Sequence, residues 1–319
     1  MTNEKMVAVF DLGSARVKLL TAMQSRDGKI SFARFLKETH TAAGVTETGV
    51  ISQEAQAKLV TAVDNLVTVA KERGCDTVVA VGTDVFRRVR SPELNDLLQD
   101  RLGPVTVLSP TIEGAIFYSA AAEVLPNDIR FCAIDVGGSS VQVAWGARPD
   151  QVVSMPTGTF QLEREFQPSP IPNEAEYARM RHKIENYFRA AVDPELDLTT
   201  MVFGSNCMQA FLQAALAVDG KGGILGQGDV LRTTLERLEE LFAQIKGRPY
   251  EELSKYFPDN PDFMRGADKA LLNVLVVGSI LGTKWIIPTN ESVGTAIARI
   301  ALTDPGLLAV FGIVPKPLP

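Results

Sequence analysis

Residues 6–20 read MVAVFDLGSARVKLL and residues 130–144 read RFCAIDVGGSSVQVA. Each is an apolar, β-branched strand that ends in aspartate, turns on small residues and leaves in a second alternating strand. The two aspartates, Asp11 and Asp135, lie about one domain length apart, and each unit is closed by a further turn signal (Asp27-Gly28; Arg148-Pro149-Asp150). A strand stopping at a carboxylate followed by Gly and Ser brings backbone N–H groups close to an anion and leaves an acidic group beside it for a cation. One such turn is commonplace. Two of them predict a duplicated anion-holding unit, with the anion and its metal between the halves.

At 319 residues the chain has room for two domains, each with its own core. A net charge of −6 gives no general attraction to nucleic acid or to a membrane surface. Cys75, Cys132 and Cys207 are far apart with no metal-ligand spacing, which fits three small buried side chains in a reducing cytoplasm. The N-terminal apolar run breaks at Asp11, so no signal peptide is expected, and Ala270 to Leu281 is too short for a membrane span. With only His40 and His182, the chemistry must rest on carboxylates, hydroxyls, arginines and backbone.

Strands are expected near 6–11, 15–23 and 29–37, and a helix from an N-cap at Ser52 to Arg73. A buried strand at 77–81 then leads to Gly82-Thr83-Asp84 and a short helix carrying Arg87. After a helix at 92–102 and a strand at 105–108, Ser109-Pro110 opens a helix to Leu125 with Glu113 in its first turn. In the second half the hairpin runs to Pro156. Helices are expected at 173–191, 207–217, 229–245, 263–281 and 291–302, with strands at 201–203 and 285–288. Hinges are expected at Pro126-Asn127-Asp128 and at Gly220-Lys221-Gly222-Gly223, and the apolar tail should pack rather than hang free. Two meanders, each feeding alternating β and α elements, read as α/β class. They form two ribonuclease-H-like (actin-like ATPase) domains, with mixed five-stranded sheets flanking a phosphate-binding cleft. Residues 1–125 with about 293–319 form one domain, and 126–292 the other.

Five stretches resemble the exopolyphosphatase / guanosine pentaphosphate phosphohydrolase family: D-L-G-S-A-R-V-K-L-L (11–20), T-D-V-F-R (83–87), I-E-G-A-I-F-Y (112–118), I-D-V-G-G-S-S-V-Q (134–142) and S-M-P-T-G-T-F-Q-L (154–162). Aligning on Tyr118 puts Glu113 on the family's catalytic glutamate. The resemblance implies a hydrolase that releases terminal phosphate from inorganic polyphosphate or from guanosine penta- or tetraphosphate, with Mg²⁺ or Mn²⁺. A cytoplasmic protein that binds neither nucleic acid nor membrane is expected, and the apolar tail is compatible with a homodimer.

Each candidate residue has a bland reading as well. Asp11 and Asp135 suit a hard cation but also cap their own turns. Gly13, Ser14, Gly137, Gly138, Ser139 and Ser140 offer N–H and hydroxyl donors to phosphoryl oxygens, or form ordinary tight turns. Glu113 suits a general base and equally a helix N-terminal carboxylate. Arg87, four residues after Thr83, fits a phosphate clamp. Lys18 and Arg16 either add charge near the first loop or line a solvated strand.

The departures from the family pattern are Ala15 for Asn, Val141 for a hydroxyl residue and Gln142 for a carboxylate, with Gly204-Ser205-Asn206 in place of G-G-T. The arginine expected before the closing Glu-Gly of the family pattern is missing from S-V-G-T (292–295). Gln142, expected at the metal, removes one negative charge and motivates a second reading: a weakly catalytic or inactive regulatory protein that binds a phosphorylated ligand. A kinase is disfavoured, since no adenosine-side glycine motif follows 201–203.

Overall fold

A computed structural model describes residues 5–14, 16–125, 129–166, 171–193, 195–204, 208–217, 231–258 and 261–318. The chain divides into two compact units: Met1–Ile116 with Val293–Pro319, and Phe117–Ser292. Both expected hinges, 126–128 and 220–223, lie outside the described residues, as do Ala15, Ser205, Asn206 and Cys207.

The first unit opens with an antiparallel meander, β1 (Lys5–Leu12), β2 (Arg16–Gln24) and β3 (Ile30–Glu38). Val7 to Phe10 are all buried because β1 is central and covered on both faces, which explains its continuous apolar run. The β2–β3 turn needs Gly28 at φ 83°. Helix α1 (Gln53–Glu72) starts at Ser52, whose Oγ accepts from Ala55 N–H at 3.2 Å, and turns Leu59, Val63 and Leu66 inward. β4 (Thr77–Gly82) then runs parallel to β1. After α2 (Pro92–Leu102), β5 (Val105–Val107) runs parallel to β4. Helix α3 (Pro110–Ala122) is capped by Ser109, whose Oγ accepts from Ile112 N–H at 3.2 Å. It ends three residues before Leu125, where the sequence pattern places its stop.

The second unit repeats the plan. β6 (Cys132–Val136), β7 (Val141–Ala144) and β8 (Val152–Met155) form the meander. Helix α4 (Thr159–Phe166) follows, then α5 (Glu174–Ala191), which begins with an Asn173/Glu176 capping box. β9 (Thr200–Gly204) is parallel to β6. Beyond α6 (Met208–Ala217), the two-residue β10 (Thr233–Thr234) leads into α7 (Leu235–Ile245), the short α8 (Tyr250–Leu253) and α9 (Ala267–Ile280). β11 (Trp285–Thr289) is parallel to β9 and antiparallel to β10. α9 is buried from Ala267 through Gly278, as a helix apolar on nearly every face must be. Among the described residues no helix is long and apolar enough to cross a membrane.

The chain then returns to the first unit. Helix α10 (Val293–Thr303) packs on β1 and β2, and β12 (Lys316–Pro317) pairs antiparallel with β4. β5 covers only Ala80–Gly82 of β4's edge, and β12 covers Thr77 and Val78 beyond it, so the tail closes an otherwise unpaired edge. Strand order is β3-β2-β1-β4-β5 in one unit and β8-β7-β6-β9-β11-β10 in the other. The mixed α/β duplication holds, but each sheet has six strands, not five. The extra strands, β12 and β10, are two residues long, too short for any periodic signal. The expected 263–281 helix is broken: Gly266 sits at φ 83°, separating a 3₁₀ turn at Pro261–Met264 from α9. The charged helix begins at Leu235 because Thr234 caps it.

Candidate active site

In the first unit the site residues collect on the loops after β1, β4 and β5, at the carboxyl ends of three parallel neighbours, where ligands of open α/β sheets bind. Asp11 stands opposite Lys18 in the β1–β2 register, and Lys18 Nζ is 3.2 Å from Asp11 Oδ2. Lys18 therefore pairs with the first-loop aspartate. Asp11 Oδ1 is buried and has no hydrogen-bond partner among the described residues. A buried, unsatisfied carboxylate oxygen is costly unless a donor or cation reaches it. No three Asp, Glu, His or Cys side chains converge among the described residues. One or two carboxylates, with water and phosphate oxygens completing the shell, is the usual protein contribution to Mg²⁺, so this donor set fits that ion.

Gly13 N–H donates to Arg16 O at 3.0 Å, closing the hairpin, and an added Cβ would lie 3.1 Å from that oxygen. Ser14 Oγ donates to the Asp84 carboxylate, so the first loop is latched to the loop after β4. Asp84 holds φ 33°, an uncommon conformation for a residue with a side chain. Thr83 strengthens the latch through its N–H, which donates to Leu12 O at 3.1 Å. From the same 3₁₀ turn, Arg87 Nη1 donates to Leu108 O at 2.8 Å and to Glu113 Oε2 at 3.2 Å. Arg87, in the 3₁₀ turn after β4, and Glu113, in the first turn of α3, are thus brought into one partly buried ion pair.

In the second unit Asp135 stands opposite Gln142 in the β6–β7 register, with Gly204 beside it on β9. Directly opposed residues share a face of the sheet. Gln142 is only 2% exposed, and its Nε2 donates to Ser140 Oγ at 2.9 Å and Ser154 Oγ at 3.2 Å. Since Ser140 accepts from Gln142, its own proton remains free to be directed elsewhere. Gly137 N–H donates to Ser140 O at 3.0 Å, the counterpart of the Gly13–Arg16 bond.

The carbonyls of Gly137, Gly138 and Ser139 all turn toward the start of α4. They accept from Thr159, from Phe160 and Gln161, and from Gly158, at distances of 2.8 to 3.3 Å. Described peptide bonds are trans, and in a trans peptide the N–H points opposite to the C=O. The amides of Gly138, Ser139 and Ser140 therefore face away from α4 in succession, the geometry of an anion nest. Gly158 makes the approach feasible: a Cβ there would lie 2.4 Å from Ser139 C. Cys132, at the foot of β6, is buried, and burial pushes its thiol up to about 12, which removes it as a nucleophile.

In each unit the expected residues lie on neighbouring loops and strand ends, but Gly13 and Gly137 spend their amides on hairpin closure. Sequence reasoning passed over Asp84, Ser154, Thr157 and Asn273. The quoted stretches carried a signal for three of them, 83–87 for Asp84 and 154–162 for Ser154 and Thr157.

The profile of the Ppx/GppA phosphatase family matches residues 23–257, and the chain belongs to that family. The match takes in Thr83, Arg87, Glu113 and the second loop. Exopolyphosphatase 1 of Mycobacterium bovis is 26% identical over 181 residues, covering 55% of this chain and 53% of that protein. The Mycobacterium leprae counterpart is 25% identical over 186 residues, covering 56% and 55%. The chain spans about half the length of the curated relatives it matches. The crystal structure of the Aquifex aeolicus Ppx/GppA family member has a TM-score of 0.76 at 22% identity, covering 97% of this chain and 99% of its own. An exopolyphosphatase from Cytophaga hutchinsonii reaches 0.77 at 17% identity, covering 93% and 98%. These two share the fold.

Proposed function

We propose that this chain is a Mg²⁺-dependent hydrolase of phosphoanhydrides that releases terminal phosphate from inorganic polyphosphate, with guanosine penta- or tetraphosphate as the other candidate substrate. The observation that carries this reading is the Arg87–Glu113 pair, set after adjacent parallel strands and beside the latched Asp11 loop. Glu113 accepts a proton from the attacking water as its oxygen bonds to the terminal phosphorus and the bridging P–O bond breaks. Arg87 holds Glu113 in place and offers its remaining donors to phosphoryl oxygens. The amides of 138–140 and the Ser140 hydroxyl receive other phosphoryl oxygens. In the first unit Asp11, with one buried carboxylate oxygen unsatisfied, is the residue that would hold Mg²⁺, and Asp135, with Gln142 opposite it, is the corresponding position of the second unit. A cation held there would neutralise phosphate charge.

The test is phosphate release from long-chain polyphosphate and, separately, from guanosine pentaphosphate, with Mg²⁺ and with EDTA, for the wild type and Glu113→Gln. Removing a positioned base costs about two orders of magnitude or more. Hydrolysis indifferent to Glu113 would refute the mechanism. A regulatory protein that binds the same anions without turning them over is supported by one feature: the residue opposite Asp135 is an amide whose nitrogen is tied to two serines. That reading expects anion binding without release of phosphate in either substrate arm.

A further inference from the structure

The second unit contains a polar contact inside an otherwise apolar wall. Asn273 lies on α9 among Leu271, Leu272, Val274 and Leu275, all buried, and is itself fully buried. Asparagine is a poor helix former, and an amide in such a place is costly unless its bonds are made. Here three are made. Thr157 Oγ1 donates to Asn273 Oδ1 at 2.8 Å, while Asn273 Nδ2 donates to Thr157 O at 2.9 Å and to Lys269 O at 2.9 Å. Both the side chain and the backbone of Thr157, also fully buried, are fixed to one point on the helix.

Thr157 immediately precedes the four amides, Gly158 to Gln161, that hold the carbonyls of Gly137, Gly138 and Ser139. A second contact braces the same stretch. α9 starts against Thr159, where a Cβ on Gly266 would come within 2.8 Å of Thr159 Cβ. We propose that Asn273 and Thr157 are positioning residues of the phosphate site: their buried clasp seats segment 158–161 on α9, and that segment turns the amides of 138–140 outward. This rests on the reading of that loop as phosphate-binding. Neither residue touches substrate. They act through the loop, so their loss weakens anion binding while the Arg87–Glu113 pair, in the other unit, remains intact. Fully satisfied buried polar networks fix one geometry in this way, and a site built against a rigid helix inherits its precision.

Thr157→Val keeps the shape and deletes the hydroxyl, and Thr157→Ser restores it. Two readouts are taken on the full chain: steady-state hydrolysis of long-chain polyphosphate with Mg²⁺, and hydrogen exchange of the amides of 158–161 by mass spectrometry without substrate. For Thr157→Val we expect KM to rise about tenfold with kcat within about twofold, and exchange at 158–161 to accelerate while α5 and α9 keep their protection. Thr157→Ser should return both to wild-type values. Unchanged exchange at 158–161 overturns the clasp. Faster exchange with unchanged KM overturns its role in the site, as does a loss of kcat accompanied by faster exchange throughout the unit. A wild-type protein that neither hydrolyses polyphosphate nor binds tripolyphosphate in titration calorimetry overturns the functional reading first, and the positioning role with it. If Thr157→Val fails to fold, Thr157→Ala replaces it, since the space left can admit a water to the Asn273 amide.

Discussion

Replacing Gln142 by glutamate introduces the carboxylate that the family resemblance implies at this position and tests whether a cation binds beside Asp135. Gln142 faces Asp135 across an antiparallel pair, where opposed Cβ atoms lie about 4.5–5.5 Å apart, and it is 2% exposed. Two like charges about 5 Å apart at an effective dielectric constant near 20 repel by about 3 kcal/mol. The lost amide donor adds little, because Ser140 and Ser154 can rotate their hydroxyls to donate to the new carboxylate. Without divalent cation, Gln142→Glu should therefore destabilise the second unit by about 2–4 kcal/mol, which for a domain of this size is a fall of roughly 5–15 °C in Tm. Mg²⁺ reverses the sign of the local interaction. The variant should regain most of that loss with millimolar Mg²⁺, gain far more from it than the wild type does, and hydrolyse polyphosphate faster. Scanning calorimetry in EDTA and in Mg²⁺ measures both effects. A variant melting like wild type in EDTA would show that the two residues are not in mutual contact, and equal Mg²⁺ stabilisation of both proteins would remove the cation from this position.

Three further outcomes are expected. Lys18→Gln frees Asp11 from an ion pair whose lysine is well exposed, worth about 0.2–1 kcal/mol after screening, so the Mg²⁺ concentration for half-maximal activity should fall by about 1.4- to fivefold; no change would dissociate Asp11 from the cation. Gly204→Ala would put a Cβ 2.1 Å from the Phe117 ring, an overpacking that should cost about 1–3 kcal/mol in thermal melts and be relieved by adding Phe117→Leu. Burial pushes the Cys75 thiol up to about 11 and that of Cys132 up to about 12, against an ordinary value of 9.0, so the protonated thiols favour the folded state. That stability is fully present below pH 9 and is lost as pH rises toward 11 to 12. Replacing both by alanine should flatten the alkaline limb of a Tm–pH profile.

The duplication was legible in the sequence because it is written in strands. Apolar runs ending at Asp11 and Asp135, with Gly and Ser after them, specify a meander and its turn locally, and the caps at Ser52 and Ser109 mark helix starts by their own chemistry. What stayed hidden depends on distant partners. Nothing near Lys316 announces a strand, since β12 exists only because β4 has an open edge. The break falls at Gly266, at φ 83°, where Thr159, more than a hundred residues away, leaves little space for a side chain. In the site, residue types were readable and their hydrogen bonds were not. The partner of Asp84 is Ser14, 70 residues away, and that of Asn273 is Thr157, 116 residues away, so neither bond has a local signal.

The two copies keep the same backbone and differ in charge at the same register position. Gly13 and Gly137 close identical hairpins through Arg16 O and Ser140 O. Asp11 and Asp135 then face the same position on the next strand, occupied by Lys18 in one copy and Gln142 in the other. A lysine there neutralises one oxygen of its aspartate and leaves the other buried and unsatisfied. An amide there adds no charge and donates instead to the loop serines, organising hydroxyls. The first copy also carries the Arg87–Glu113 pair, whereas the second carries the outward-facing amides of 138–140, held by α4 and α9. In the proposed mechanism, proton transfer would fall to the first copy and phosphate holding to the second. Such a division lets substitutions in the second unit change binding with little effect on the base, which is why a split between KM and kcat is the informative measurement on this protein.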